Sequence, residues 1–369
     1  MIYLDSAATS LYKPAAVERA VVRALRTMAS PGRGGHPAAL RAAEEVYACR
    51  ESAAALFHLD DPSRVVFTMN ATHGLNLAIH ALVKPGARVL VSGFEHNAVT
   101  RPLYAAKAEI RVAGRSLFSQ ETLLQEWEAA LPCTEVAVCT HVSNVFGCVL
   151  PIEEIAALCR RYHVPLIVDA SQSAGVLPLD ASRLGAAYVA MPGHKGLLGP
   201  QGTGILLCGE AGEPLLYGGS GSESKLQRMP DELPERLEAG THNVCGIAGL
   251  RAGIDYVREK GTESILAHEQ RLLGCAIDLL RDSGAELFTG SVETQSGVLS
   301  LRFPGRDCEA IAQKLSERGV CVRAGLHCAP FAHESAGTLE TGTIRLSFSP
   351  FLRERELRAG VEALLEAVE

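Results

Sequence analysis

Between residues 64 and 208 the chain alternates short apolar runs with amphipathic stretches. The apolar runs, bounded by polar or glycine-rich segments, predict strands at Arg64–Thr68, Arg88–Val91, Glu109–Val112, Glu135–Thr140, Pro165–Asp169, Ala186–Ala190 and Gly204–Cys208. Helical periodicity fills the gaps, as at Thr72–Val83, Glu121–Leu131 and Ile152–Tyr162. Strand–helix–strand alternation at this spacing predicts an α/β fold with a mostly parallel sheet covered by helices on both faces. From about residue 243 the pattern changes. Long helical stretches at about Val244–Lys260 and Glu263–Ser283 precede strands at Gly297–Phe303, Val320–Arg323 and Thr343–Phe348. A helix at Cys308–Arg318 separates the first two of these strands, and another closes the chain from about Leu352. The expected division is an N-terminal segment, 1–15, packing on a small α+β domain, 243–369, with a large α/β domain, 16–242, between them in sequence. In open α/β sheets, ligands sit at the carboxyl ends of the strands, so the residues just after each run carry the chemistry.

Composition narrows the choices. Apolar residues make up 47% and charged residues 21% of the 369 positions, which excludes a disordered or low-complexity chain. The net charge of −7 removes the electrostatic support that nucleic-acid or anionic-membrane binding requires. There are 11 cysteines, an odd number, with no CxxC pair and no HExxH motif, so no metal site is expected. The N-terminus lacks a basic-then-apolar leader, and no run is long enough for a membrane span. These features predict a cytoplasmic protein without a membrane anchor.

Several residues past strand ends have both a bland and a chemical reading. Asp169 ends the run PLIVDA. It either caps the next helix or holds a ring nitrogen protonated, which makes the ring an electron sink. Lys195 lies in MPGHKGLLGPQGTG, among glycines that allow a bulky ligand close to the backbone. A partly desolvated lysine there forms Schiff bases, whereas most lone lysines are solvated charges. The segment is neither a P-loop nor a dinucleotide fingerprint. Thr72 begins a helix whose N-terminus suits a phosphate, or simply caps it. His96, in VSGFEHNAV, either terminates a loop or lies flat on an aromatic cofactor. Cys328, in VRAGLHCAP, has Arg323 and His327 near in sequence, and positive neighbours favour thiolate; most cysteines are inert packing. Arg345, in TIRLSFS, is either a surface-strand residue or a clamp on a substrate carboxylate.

Together the ordered segments YLDSAATS, VDASQSAG, PGHKGLLGPQGTG, EAGTHN, RAGLHCA and TIRLSFS resemble the cysteine desulfurase family, a group of class V aminotransferase-like enzymes dependent on pyridoxal 5'-phosphate. The resemblance implies the fold type I architecture of pyridoxal-phosphate-dependent transferases. It implies that Lys195 is the Schiff-base lysine, that Asp169 pairs with the pyridinium nitrogen and that Gln172 bonds the ring oxygen. His96 matches the histidine that stacks on the ring. Asn144 matches the asparagine beside ring and substrate. Thr72 and His194 match phosphate contacts, and Thr241 matches a threonine that reaches the phosphate of a neighbouring subunit, which implies a homodimer. Arg345 matches the substrate-carboxylate arginine, His36 and Arg323 fall in substrate-side segments, and Cys328 matches the sulfur-accepting cysteine. The RAGLHCA setting resembles the subgroup with a short catalytic-cysteine segment.

Three positions depart from the pattern. Pro192 replaces a serine, Leu326 replaces a histidine and His73 replaces a glutamate. The implied reaction turns L-cysteine into L-alanine, leaves a persulfide on Cys328 and passes its sulfur to an acceptor protein, as in iron–sulfur cluster assembly. Selenocysteine lysis, another β-lyase or transaminase reaction, and a weakly catalytic sulfur-relay role are the competing readings.

Overall fold

The computed structural model describes residues 1–369 other than 33, 222, 224 and 292. A seven-stranded sheet forms the larger layer, in the order 65–68, 204–208, 188–192, 166–169, 136–140, 88–92 and 109–113. Gly204–Cys208 runs antiparallel to both neighbours, and every other adjacent pair is parallel. The predicted α/β fold with a mostly parallel central sheet is therefore the observed one. The central strands Val136–Thr140 and Leu166–Asp169 are buried along their whole length. That is why they appear in sequence as unbroken apolar runs rather than as alternation.

A second sheet has the order 323–325, 343–347, 298–302 and 286–288, antiparallel throughout. It packs with the helices Thr262–Leu280, Cys308–Glu317 and Glu354–Val368 around a separate apolar cluster containing Leu4, Leu301, Leu315 and Leu357. The N-terminal strand Ile2–Tyr3 pairs in parallel with Val320–Cys321, and Asp5 bridges to Ser347.

Two differences from the sequence pattern have clear causes. The run predicted as one strand, Val320–Arg323, is two: Val320–Cys321 pairs with the N-terminus, and Arg323–Gly325 pairs with Thr343–Ser347. The helices Ala15–Thr27 and Pro37–Leu56 are absent from the sequence reading. Pro37–Leu56 buries Glu45 and Arg50 alongside alanines, so it shows no clean apolar stripe. Both helices pack on Val244–Lys260. Gly249 there lies so close to Val21 and Pro200 that a Cβ would come within 2.7 Å of the valine side chain.

Candidate active site

The parallel strands deliver five side chains to one edge. Thr72 follows Val65–Thr68, Lys195 follows Tyr188–Pro192, Asp169 ends Leu166–Asp169, Asn144 follows Val136–Thr140 and His96 follows Arg88–Ser92. These five residues line one cavity with Gln172, Pro192 and His194.

Lys195 is half-buried, and its amine has no hydrogen bond or ion pair among the described residues. Desolvation lowers its pKa to about 8, with Asp169 pulling the other way. Asp169 is 2% exposed; its Oδ1 accepts the Ser171 amide at 2.9 Å, while Oδ2 has no hydrogen-bond donor. No helix directly follows Asp169, so the helix-cap reading does not hold: Oδ1 secures a turn, and Oδ2 is left for the cofactor reading.

The helix after Val65–Thr68 starts at Ala71, and its cap is Asn70, whose Oδ1 accepts the His73 amide at 2.9 Å. Thr72 therefore sits in the first turn rather than at the cap, and the Ala71 and Thr72 amides find no acceptor within the helix. His96 caps the helix Asn97–Ala105 through Nδ1, which accepts the Ala98 amide at 2.9 Å. Burial lowers its pKa to about 4, so the ring is neutral with its proton on Nε2. His194 is likewise lowered to about 4 by burial, and its Nδ1 lies 3.0 Å from Thr9 Oγ1. Gln172 donates to the Ala7 carbonyl at 3.0 Å. The N-terminal segment thereby closes one wall of the site.

Behind this cavity, Arg345 is the buried centre of the second sheet, flanked by Arg323 and Ser300. Its Nη1 donates to the Asn144 carbonyl at 2.9 Å and its Nη2 to Asp5 at 2.6 Å, while Nε is buried without a partner. The surface-strand reading of Arg345 is excluded, since its side chain is 1% exposed. The Asn144 amide nitrogen donates to the His327 carbonyl at 2.9 Å, and the Asn97 amide donates to the Cys328 carbonyl at 2.8 Å. These bonds hold the exposed Cys328 against the two loops that carry Asn144 and His96. Arg323 Nη2 donates to the Cys328 sulfur at 3.6 Å.

Two sequence candidates lie elsewhere in the chain. His36 is an exposed cap of Pro37–Leu56, accepting the Ala39 amide at 3.4 Å. Thr241 is exposed and lines a neighbouring cavity with His73 and His242. The glycines around Lys195 also have a different role from the one expected. A Cβ on Gly193 would come within 2.1 Å of Thr203 Oγ1, and one on Gly196 within 2.4 Å of the Ala174 carbonyl. These glycines let loop pack on loop inside the protein, not backbone on ligand. Pro192 pairs with Gly204 at the strand end, and His73 Nε2 is buried without a partner. Leu326, 39% exposed, stands at the outer edge of the cysteine turn.

Sequence reasoning missed Asp5, Glu95 and Glu238. Asp5 lies in the quoted YLDSAATS and Glu238 in EAGTHN, but only their tertiary partners mark them. Glu95 Oε1 accepts from Ser92 Oγ at 2.6 Å and the Thr140 amide at 2.8 Å, joining two strand ends beneath the site. Glu238 is a buried carboxylate held by Arg50, the Phe67 amide and His242.

The aminotransferase class-V family model matches residues 2–359, and the chain belongs to that family, among its cysteine desulfurases. A probable cysteine desulfurase of Methanothermobacter thermautotrophicus is 32% identical, across 99% of this chain and 94% of its own length. One from Mycolicibacterium paratuberculosis is 30% identical across the whole chain, which spans 56% of that longer protein. The apo cysteine desulfurase of Thermococcus onnurineus superposes with a TM-score of 0.90 at 29% identity, covering 99% of this chain and 94% of that one. The S-sulfonic acid form of the Escherichia coli cysteine desulfurase CsdA gives 0.86 at 27% identity, covering 100% and 94%.

Proposed function

We propose that this protein is a pyridoxal-phosphate-dependent cysteine desulfurase that forms a persulfide on Cys328. One observation carries the reading. An unpaired, half-buried lysine shares a strand-end cavity with a carboxylate whose free oxygen has no donor, and the loop of Asn144 in that cavity tethers the cysteine turn. The residues fit the cofactor: Lys195 and Asp169 for the ring, Gln172 and Asn144 for its substituents, His96 for its face, and Thr72, His194 and the free amides of the first helical turn for its phosphate. When bound, the cofactor supplies an electron sink that makes the α-carbon of an amino acid acidic.

This chain's own groups do the rest. Arg345 is the substrate-carboxylate candidate by family position, its guanidinium held in the adjoining wall by Asp5 and the Asn144 carbonyl. Arg323 and His36 stand on the substrate side by family position only. The Lys195 amine, with its pKa near 8, takes and returns a proton at the α-carbon. The Cys328 sulfur takes the substrate sulfur, leaving alanine. Its exposure suits hand-over to an acceptor protein. Thr241 is exposed and is not among the residues lining this chain's own Lys195 cavity, which supports a homodimer with shared sites. All 11 cysteines are free and no helix among the described residues is long and apolar enough to cross a membrane, which favours a reducing, cytoplasmic setting.

Mass spectrometry of the holoprotein after incubation with L-cysteine tests this. One added sulfur on Cys328 and stoichiometric alanine are expected, with neither in Cys328→Ser. Lys195→Ala loses the visible absorbance of the bound cofactor. Pyruvate in place of alanine, or sulfur mapped to another cysteine, sinks the proposal.

A further inference from the structure

His327 and Cys328 are successive non-glycine residues at φ 52° and 57°. Left-handed backbone is disfavoured for residues with a Cβ, so the surroundings must over-determine it. The backbone anchors from Asn97 and Asn144 hold the two carbonyls but leave the His327 ring to be fixed otherwise. That ring lies edge to edge with His333 and nearly coplanar with it, the centroids 5.7 Å apart and the planes 9° from parallel. Both imidazoles are buried, at 3% and 0% exposure.

The hydrogen bonds through these rings allow one proton arrangement. The Arg323 carbonyl, 3.3 Å from His327 Nε2, can only accept, so Nε2 carries the proton. Neutral His327 then accepts at Nδ1, and His333 Nε2, 3.4 Å away, donates. His333 Nδ1 accepts in turn, and Thr338 donates its hydroxyl at 2.7 Å. Thr338 is itself fixed, its amide donating to the His333 carbonyl at 2.9 Å and its own carbonyl accepting the Gly342 amide at 2.8 Å. A second proton on His327 sets its Nδ1 against the His333 Nε2–H, donor against donor, whereas one on His333 would be accepted by the Thr338 hydroxyl, so that burial decides there. Burial, with Arg345 and Arg323 as charged neighbours of His327, opposes such protonation, lowering His327 to about 2 and His333 to about 4. Neither ring bonds the thiol, so the chain is not a proton wire to sulfur.

We propose that Thr338, His333 and His327 form a neutral hydrogen-bond relay that locks the left-handed turn carrying Cys328, with His333 and Thr338 as positioning residues for the sulfur acceptor. The inference rests on the desulfurase reading for what Cys328 does, but not for the relay itself. The relay ends on Arg323, whose guanidinium touches the Cys328 sulfur. One residue thus receives the lock on its carbonyl and faces the thiol with its side chain.

The test uses the cofactor-loaded protein and three variants: His333→Leu removes the donor, His333→Gln supplies a donor in its place, and Thr338→Val keeps volume but loses the hydroxyl. In ¹⁵N-histidine NMR spectra, wild type is expected to show the His327 and His333 rings neutral and protonated at Nε2, and Thr338→Val to lose that uniform pattern. His333→Leu is expected to lower kcat and single-turnover persulfide on Cys328 about tenfold, with KM and the cofactor absorbance kept. His333→Gln is expected to recover most of the loss. Should His333→Leu not fold, Thr338→Val carries the kinetic test, with a smaller drop of the same kind. Wild-type kcat in Thr338→Val, a charged ring at neutral pH in wild type, or no recovery by glutamine overturns the proposal. Absence of alanine from the wild-type protein instead fails the desulfurase reading, while the NMR spectra still report the relay.

Discussion

Arg345 and Asp5, 340 positions apart, meet at 2.6 Å in the wall between the two sheets. The pair orients a guanidinium that is 1% exposed and leaves its Nε without a partner. Asp5→Asn keeps the shape but weakens the grip on Arg345. The expected outcome is a KM for L-cysteine raised about tenfold with kcat largely kept, the signature of lost uniform binding. Unchanged KM in steady-state assays contradicts this role for Asp5.

Arg50 and Glu238 form a buried bidentate pair, with Glu238 Oε1 also accepting the Phe67 amide at 2.6 Å and Oε2 lying 2.5 Å from His242. Removing one partner leaves an uncompensated buried charge, so Glu238→Ala is expected to cost about 3–5 kcal/mol in denaturant unfolding. Because Glu238 anchors the turn carrying Thr241, the variant also binds the cofactor more weakly. A loss below about 1 kcal/mol, the scale of an exposed pair, contradicts it.

The Lys195 loop is held by contact rather than by flexibility. Gly196→Ala places a Cβ within 2.4 Å of the Ala174 carbonyl, backbone that cannot swing aside. The variant is expected to fold with a displaced Lys195 and to lose most of its cofactor absorbance. Full loading of Gly196→Ala in an equilibrium titration goes against this.

Buried ionisable groups set opposite pH limbs. His141 and His333 are both lowered to about 4 by burial, so unfolding takes up protons below their unfolded value near 6.5. Stability from these rings is full above about pH 6.5 and drains away as pH falls toward 4. Burial raises Glu95 and Glu269 to about 8, which gives stability full below their unfolded value and lost as pH rises through 8. Between pH 6.5 and 8 the histidines are neutral in both states, so stability is expected to decline by up to about 1.4 kcal/mol per pH unit for each carboxyl. Glu95→Gln, isosteric with the neutral acid, flattens that limb. A parallel pH profile for Glu95→Gln in urea unfolding refutes the assignment.

Most of the catalytic edge was legible in the sequence, because each candidate follows a buried apolar run and parallel sheets place their chemistry at strand ends. Asp169, Lys195, His96 and Thr72 stood out at the strand ends, whereas Asn144 was marked only by the family resemblance. Cys328 was legible through its motif. The helices Ala15–Thr27 and Pro37–Leu56 were not: the first buries only Val17 and Ala24, and the second mixes alanines with the buried charges Glu45 and Arg50.

The sequence by itself thus determined the α/β layer and the candidate residues beside its strand ends, since those follow from local periodicity and from residue types just past each apolar run. Tertiary structure alone decided that Asp5 grips Arg345, that Glu238 grips Arg50, that the glycines near Lys195 serve internal packing, and that His333 supports the turn of Cys328. Each of these joins segments that no spacing along the chain relates. Partnership across distant segments depends on three-dimensional approach and on burial, which strengthens hydrogen bonds and ion pairs and penalises any group left without one.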